Sequence, residues 1–434
     1  MMFEKYDAYK DSGVEWIGKI PTDWFNERLG TILEPISIKG NADKDLLSIT
    51  REKGVILRDV EDDSENHNFI PDDLSNYKLI EKGQFGMNKM KAWQGSYGVS
   101  PYTGIVSPAY YIFKFIKPIY PDFFHWAIRS KTYISFFGSA SDGVRIGQWD
   151  LSKDRMKNIP FVFPNIDSQK KIVEFIQDKA GKIDQAIAIK EQQIALLNER
   201  KQIVIQKAVT QGLDPNVPMK DSGVEWIGQI PEYWELKKIK HVTSKIGSGV
   251  TPSGGGATYL DEGIPLLRSQ NIHFNRIDLN DVARISEKVH HSMSNSKVRK
   301  NDVLLNITGG SIGRCYFVET SEEMNVNQHV CILRPKKNIT SIFLNAVLAS
   351  EVGQGQIWYF QQGGGREGLN FQALKNFDIA LPPIEEQILI SKKVEEIYQQ
   401  FGNMNAHIQM QIEKLKEYKT TLINDAVTGK IKVA

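Results

Sequence analysis

The stretch KDSGVEWIGKIP at residues 10–21 returns as KDSGVEWIGQIP at residues 220–231, differing only at Lys19 against Gln229. Trp24 and Trp234 extend the match at the same offset. Near-identity between stretches so far apart in the chain marks an internal duplication, and a repeat dictates architecture before any single element does. A second set of pairs stands at a larger offset: Gln169, Ile172, Ile194, Leu197, Lys201, Ile205, Ala208, Val209 and Thr210 against Gln387, Ile390, Ile412, Leu415, Lys419, Ile423, Ala426, Val427 and Thr428. The repeated unit is therefore a short motif, a variable segment and a late apolar-periodic segment. Because the second offset exceeds the first, the second variable segment is the longer of the two.

The late segments have helical periodicity. Ile176, Ala180, Ile183, Ile187, Ile194, Leu197, Val204 and Ala208 recur at helical spacing, with Lys190 and Lys201 interrupting the seam. Ile390, Val394, Ile397, Phe401, Met404, Ile408, Ile412, Leu415, Leu422 and Ala426 do the same. Each opens after proline with an acid in its first turn, Asp167 or Glu385, which suits the helix dipole. Gly181 and Gly402 fall inside and weaken the expectation of perfect regularity. At ~1.5 Å per residue such a helix runs on the order of 65 Å. A domain of ~140 residues, with a radius of gyration near ~14 Å, cannot cover it. The two helices are expected to bury their seams on each other, antiparallel about a pseudo-twofold axis. The fold class is thus α+β: two globular mixed α/β domains joined by two long helices in an antiparallel coiled coil. Expected boundaries are 1–160 for the motif and first domain, 161–213 for the first helix and 214–236 for the linker and second motif. Residues 237–380 form the second domain and 381–434 the second helix. Trp16 and Trp226 are expected beside the helix ends.

The 434 residues, 41% hydrophobic and 24% charged, exclude wholesale disorder and leave room for several cores. Two cysteines, Cys315 and Cys331, cannot build a disulfide framework. No run approaches the ~18–20 apolar residues of a membrane span, and the first thirty residues lack an apolar leader core. These features point to a reduced, cytoplasmic protein. The net charge of +2 hides an uneven distribution: residues 1–75 carry 9 basic and 17 acidic groups, residues 76–160 carry 12 and 5, and residues 237–380 carry 17 and 12. Two basic regions suit a polyanion held at two places.

Both variable segments alternate short β-branched and aromatic runs with glycine turns, the pattern of mixed α and β domains. In the first, NKMKAWQGSYGVSPY at residues 88–102 interleaves Lys89 and Lys91 with Trp93, Gln94, Ser96 and Tyr97. Lysines contact phosphates and glutamine presents a bidentate edge to adenine, although the aromatic rings equally suit a hairpin packed on its own core. GVRIGQW at residues 143–149 adds Arg145 and Gln148. The second segment offers GSGVTPSGGG at 247–256 with Ser248 and Thr251, and LRSQN at 267–271 with Arg268, Gln270 and Asn271. It adds TGGSIGR at 308–314 with Ser311 and Arg314, NVNQH at 325–329 with Asn327 and Gln328, and GGGREGLN at 363–370 with Arg366 and Asn370. Arg, Gln and Asn are the side chains that read base edges.

Catalytic machinery is missing from this pattern. There is no P-loop: Gly309 to Arg314 lacks the lysine, and Gly429-Lys430 is followed by Ile431. No G-x-G-x-x-G stands between a strand and a helix. Cys315, His329 and Cys331 make at most a partial metal set, since structural zinc takes four ligands. No catalytic residue and no metal ligand is assigned.

The doubled KDSGVEWIG-x-IP-x-x-W block resembles the specificity subunit of type I restriction–modification enzymes. P-x-I-x-x-Q opening each late segment and the ends AVTQGL and AVTGKI add to the likeness. In the second segment GxTPSGG, IPLLRSQNI, NDVLLNITGGSIGR and NQHVCILRP are similar to that family's target recognition domains. KMKAWQGSYGVSPYTGIVSPAY is similar in the first. The resemblance implies a non-catalytic subunit whose two recognition domains each read half of a split double-stranded DNA target, with the long helices setting the spacer. It implies docking of two methyltransferase subunits, which methylate adenine at N6 with S-adenosylmethionine, and of motor-nuclease subunits that use ATP and Mg²⁺. This chain itself would hold no cofactor. Because the two segments share few loop motifs, the half-sites should differ. The competing readings are a solitary tandem-domain nucleic-acid binder without enzyme partners, and an enzyme built on the 363–368 loop.

Overall fold

The computed structural model describes residues 3–58, 70–141, 149–252, 259–362 and 368–433. The chain forms two compact units, Met1–Lys190 with Met410–Ala434, and Glu191–Gln409. The long helices expected within 161–213 and 381–434 are shared, each giving one half to each unit.

In the first unit the repeated motif folds as a hairpin of β1 (Tyr9–Asp11) and β2 (Lys19–Pro21), with Tyr9 opposite Pro21. There follow β3 (Phe25–Arg28), β4 (Leu33–Ile36), β5 (Leu47–Thr50), β6 (Gly54–Leu57), β7 (Lys78–Ile80), β8 (Phe85–Met87), β9 (Tyr97–Val99), β10 (Gly104–Val106) and β11 (Tyr111–Phe115). Helices α1 (Pro121–Ile128), α2 (Lys131–Ala140) and α3 (Lys153–Lys157), strand β12 (Pro160–Phe163) and the start of α4 (Ile166–Gln211) complete the unit's main elements. The main sheet is antiparallel in the order β4-β11-β8-β9, and β3 pairs with β12.

The second unit repeats this plan. β13 (Met219–Asp221) and β14 (Gln229–Pro231) form the hairpin, followed by β15 (Glu235–Lys238), α5 (Ile239–Val242), β16 (Thr243–Ser248), β17 (Ile264–Leu267), β18 (Ala283–Ile285) and α6 (Glu287–Ser292). Then come β19 (Val303–Asn306), β20 (Cys315–Phe317), β21 (Asn325–Val326), β22 (Val330–Pro335), α7 (Ser341–Ala349), α8 (Glu351–Gln362), α9 (Phe371–Lys375), β23 (Asp378–Leu381) and α10 (Ile384–Val427). Its main sheet has the order β16-β22-β19-β20, and β15 pairs with β23. Strands β4 and β16 begin at the offset of the repeated motif, whereas β8 and β19, and likewise β9 and β20, begin at the larger offset of the helix pairs. The extra length of the second variable segment therefore lies between β16 and β19. Sequences that diverged beyond recognition keep one sheet, because strand pairing asks only for alternating apolar side chains over a shared core.

Each core packs the sheet and its helices around a fully buried tryptophan of the repeated motif, Trp24 in the first unit and Trp234 in the second. Phe85, Phe113, Phe124 and Phe161 surround the first core together with Ile172 and Ile176 of α4 and Ala426 and Val427 of α10. Leu305, Leu333, Phe343 and Phe377 join Ile205 and Val209 of α4 and Ile390 and Val394 of α10 in the second. Trp24 and Trp234 lie against the glycines that end the long helices. A Cβ on Gly429 would sit 3.3 Å from Trp24, and one on Gly212 the same distance from Trp234. Trp16 packs on Phe136 at 4.0 Å and lines a cavity with Thr420, Thr421 and Asn424 near the end of α10, as expected, while Trp226 meets Tyr359 at 5.3 Å. The glutamine of P-x-I-x-x-Q is buried in both copies. Gln169 accepts from the Tyr120 N–H at 2.8 Å and donates to the Pro164 carbonyl, and Gln387 does the same with Thr340 and Pro382.

Within each unit the two helix halves run antiparallel. In the first, Lys419 meets Asp184 at 2.7 Å and Lys190 donates to Gln411 at 2.5 Å. In the second, Asn405 donates to Asn198 at 2.9 Å and Lys201 lies 5.6 Å from the centre of the Tyr398 ring. The seam is less apolar than its periodicity suggested. Ile187, Ile194, Leu197 and Val204 are only half-buried and Met404 is exposed. Gly181 and Gly402 are accommodated in unbroken helix.

Candidate nucleic-acid interface

In the second unit five separate stretches converge at one end of the sheet β16-β22-β19-β20. The Gly249 N–H donates to the Asn327 carbonyl at 3.1 Å, and the Asn327 N–H to the Leu267 carbonyl at 3.0 Å. Asn306 Nδ2 donates to the Ser269 carbonyl at 2.8 Å and to Ser311 Oγ at 3.2 Å, while the Leu369 N–H reaches the Ile307 carbonyl at 2.8 Å. These bonds join 247–252, 267–271, 308–314, 325–329 and the described end of 363–370. Strand ends release their side chains from the core, so a polar loop at each end can face a ligand while the sheet stays rigid.

Side chains join the same stretches. Thr251 Oγ1 donates to Gln328 Oε1, and Gln328 Nε2 lies 2.9 Å from His329 Nε2. His329 Nδ1 lies 2.6 Å from Thr308 Oγ1, and the His329 N–H donates to Asn327 Oδ1 at 3.1 Å. Gln328 and Gln270 are exposed, Arg314 is half-buried, and Ser248 and Ser311 stand at the ends of their turns. Arg268 places its guanidinium 5.6 Å from the centre of the Tyr259 ring. Three candidates are spent on the fold instead: Asn327 is buried with its Oδ1 accepting from the His329 N–H, and two more are held in the same way. Asn271 is buried, its Oδ1 accepting from the Arg268 N–H at 2.9 Å and its Nδ2 donating to the Asp278 carbonyl at 3.0 Å. Asn370 caps α9, accepting from the Ala373 N–H at 2.7 Å. Arg366 lies outside the described residues.

The first unit builds the equivalent turn between β8 and β9. Asn88 and Gly95 occupy the places of Asn306 and Gly313, at the offset of the helix pairs, and both glycines adopt positive φ, 91° and 87°. Lys91 is exposed and Gln94 half-buried. Lys89 pairs with Asp150 at 2.9 Å, a hydrogen bond that raises its ammonium pKa. Lys153 stands 4.8 Å from the centre of the Tyr111 ring and Lys89 5.9 Å. Burial, then the neighbouring Lys153, Lys39 and Lys89, hold the Lys78 ammonium below its ordinary range, the signature of clustered positive charge.

Three aromatic or small candidates in this turn point inward. The Tyr97 ring is fully buried, 4.5 Å from Phe137, and burial raises its hydroxyl pKa. Ser96 is buried beside it. Trp93 packs on Trp149 at 5.1 Å. Tyr97 and Ser96 are therefore core residues, as expected of a strand that continues into the sheet. Arg145 and Gln148 lie outside the described residues.

Sequence reading overlooked Thr308 and His329 as partners of Gln328, and Asn88 with Asn306 as paired anchors. The larger of the two repeat offsets, shared with the helix pairs, was the available signal for the anchors. His329 does not join the cysteines in a metal set. Cys315 and Cys331 lie on strands flanking β19, and burial raises both thiols, that of Cys331 to about 12. No group of three metal-binding side chains occurs among the described residues. No described helix is long and apolar enough to cross a membrane.

Residues 231–414 match the family model described as "Type I restriction modification DNA specificity domain". The chain is 27% identical to the EcoBI type I restriction enzyme specificity subunit of Escherichia coli, over 71% of this chain and 65% of that protein, just under two thirds of its length. It is 24% identical to the putative MjaX specificity subunit of Methanocaldococcus jannaschii across 100% of this chain and 99% of that one. Among solved structures, a chain from a study of complex assembly and conformational transition of the type I R-M system aligns over 94% of this chain and 98% of its own, with a TM-score of 0.67 at 15% identity. The HsdS subunit of Thermoanaerobacter tengcongensis aligns over 95% and 98%, with a TM-score of 0.53 at 16% identity. These likenesses show a shared fold along nearly the whole chain.

Proposed function

We infer that this chain, whose residues 231–414 form a type I restriction–modification DNA specificity domain, is as a whole the specificity subunit of such a system. It recognises a bipartite double-stranded DNA target, one half through each unit, and directs adenine-N6 methylation and restriction carried out by other subunits. The observation that carries this reading is the duplicated sheet with a polar turn at the same strand junction in both units, Asn88 to Gly95 and Asn306 to Gly313. Two unlike turns on one scaffold suit two unlike half-sites. Lysines such as Lys91 and Lys153 contact phosphates and fix register, while Gln94, Gln270, Arg314 and Gln328 reach base edges.

The chain is non-catalytic on this reading. Two methyltransferase subunits bring S-adenosylmethionine, and motor-nuclease subunits bring ATP and Mg²⁺. The complex works in the cytoplasm, with the long helices fixing the spacer. A methylated base must leave the stack, so recognition tolerates distorted DNA. The test is a map of N6-methyladenine across the host genome with and without this chain, alongside co-purification. Loss of methylation at one split motif and a stable complex with a methyltransferase are expected. An unchanged map, or a lone chain that turns over substrate, would overturn the reading.

A further inference from the structure

The Gln328 side chain is exposed at the tip of the turn between β21 and β22, yet it is not free to rotate. Its Oε1 accepts from the Thr251 hydroxyl, and its Nε2 stands 2.9 Å from His329 Nε2. With the amide in this orientation its nitrogen donates to His329 Nε2, which leaves a ring proton for Nδ1 to donate. That nitrogen lies 2.6 Å from Thr308 Oγ1, which accepts the proton. The His329 backbone is held in turn by Asn327. Three loops thus hold the amide in place at the turn.

Each amide terminus still has one hydrogen-bonding position to spare. One N–H of Nε2 and one lone pair of Oε1 remain, a donor beside an acceptor. Adenine shows the complementary pair in the major groove, an N7 acceptor beside the N6 amino donor; guanine shows two acceptors and cytosine a lone donor. Ordering a glutamine before the ligand arrives removes rotamer entropy from the cost of binding.

Resting on the specificity-subunit reading, we propose that Gln328 reads an adenine within the half-site recognised by the second unit, and that His329 and Thr251 are the positioning residues that hold its amide in place. His329 touches no base in this arrangement; it acts through Gln328.

The experiment uses the full chain in complex with its methyltransferase subunits. Binding is measured on duplexes in which every base pair of both half-sites is replaced in turn. Replacing one particular A·T pair weakens the wild-type complex by roughly 5- to 150-fold, the range of a bidentate base contact. Gln328→Ala binds the two duplexes alike at that position and keeps its discrimination elsewhere. Gln328→Glu moves the preference there from adenine toward cytosine, whose amino group suits an acceptor-only edge. His329→Ala blunts discrimination at the same position alone, and His329→Asn, which keeps an acceptor, restores part of it. A purely structural His329 would lower the melting temperature or the affinity for all duplexes alike, and that outcome overturns its positioning role. Unaltered single-base discrimination by Gln328→Ala overturns the adenine assignment while leaving the bipartite reading intact. Absence of any split target for the wild-type complex overturns the parent reading instead.

Discussion

The Arg129 guanidinium donates to the Gly95 carbonyl, Nη1 to O at 3.2 Å, and so ties the helical layer of the first unit to the turn that carries Lys91 and Gln94. The same fork reaches the carbonyls of Tyr97 at 2.6 Å and of Arg51 and Glu52 at 2.8 Å. In the second unit a different side chain does this work: Gln354 Nε2 donates to the Gly313 carbonyl at 2.9 Å and to Leu348 at 2.8 Å. Arg129→Ala leaves four carbonyls without this donor and is expected to cost roughly 2–3 kcal/mol, because hydrogen bonds from charged donors are worth about 1.5–3 each but water replaces part of them. Gln354→Leu should cost about 1 kcal/mol. Thermal unfolding measures the stability; on the proposed function, methylation mapping should also show Arg129→Ala relaxing one half-site and Gln354→Leu the other.

A buried ion pair fastens the far end of the second sheet. Arg334 Nε and Nη2 each lie 2.8 Å from a carboxylate oxygen of Asp302, which is 1% exposed and also accepts from the Arg299 N–H. Removing one partner strands the other charge, so Arg334→Ala is expected to destabilise the second unit by roughly 3–5 kcal/mol. The double replacement Asp302→Leu with Arg334→Met should recover most of that loss. Urea unfolding of the three proteins checks the ordering, and equal losses in the single and double variants would refute it.

The parts of this molecule legible in sequence are those whose chemistry is the same in both copies. Trp24 and Trp234 repeat because each fills a core against a helix-ending glycine, and Gln169 and Gln387 repeat because each ties a helix start to the neighbouring α1 or α7. The converging loops were also legible, since glycine-flanked polar residues between apolar runs end on a surface. Direction was not. Tyr97 and Gln94 belong to one polar stretch, yet β9 turns the tyrosine into the core. Asn271 and Gln270 are adjacent, yet the backbone of Arg268 and Asp278 claims the asparagine. Composition identifies which side chains can read a base; only the local hydrogen-bond demand of the backbone decides which are left free to do so.

His125 supplies a pH dependence. It is largely buried, its Nδ1 accepts from the Val99 N–H at 3.3 Å, and burial, then the nearby Arg129 charge, lowers its pKa from 6.5 to about 4. The folded state therefore keeps the imidazole neutral where the unfolded chain has already taken up a proton. Its stabilising contribution is complete above pH 6.5 and is lost as pH falls toward 4, by about 3 kcal/mol over that window. Comparing the stability of wild type and His125→Gln between pH 7 and pH 4 isolates this contribution. The difference should shrink as the pH falls, and parallel curves would contradict the assignment.

Glycines in the long helices are expected to respond to alanine with opposite signs. Gly429 ends α10 at φ 72°, and a Cβ there would lie 2.4 Å from Pro21 Cδ. The proline ring belongs to the repeated hairpin and cannot swing aside, so Gly429→Ala combines a left-handed backbone penalty of about 1–2 kcal/mol with displacement of the motif from the helix end. Gly212 ends α4 at φ 76°, but its nearest obstacle is Glu386 Oε1 at 2.8 Å, the tip of a flexible chain. The other oxygen of that carboxylate accepts from Trp234 Nε1 at 3.0 Å, so Gly212→Ala carries the same left-handed penalty but displaces only a side-chain hydrogen bond and leaves the hairpin in place. Gly181 lies within regular α4, and a Cβ there would meet nothing within 4 Å. Gly181→Ala therefore removes the conformational freedom of the unfolded glycine without a clash and should stabilise by up to about 1 kcal/mol. Melting temperatures falling in the order Gly181→Ala, wild type, Gly212→Ala, Gly429→Ala are expected, and a destabilising Gly181→Ala would mean that this stretch of α4 is covered by something other than solvent.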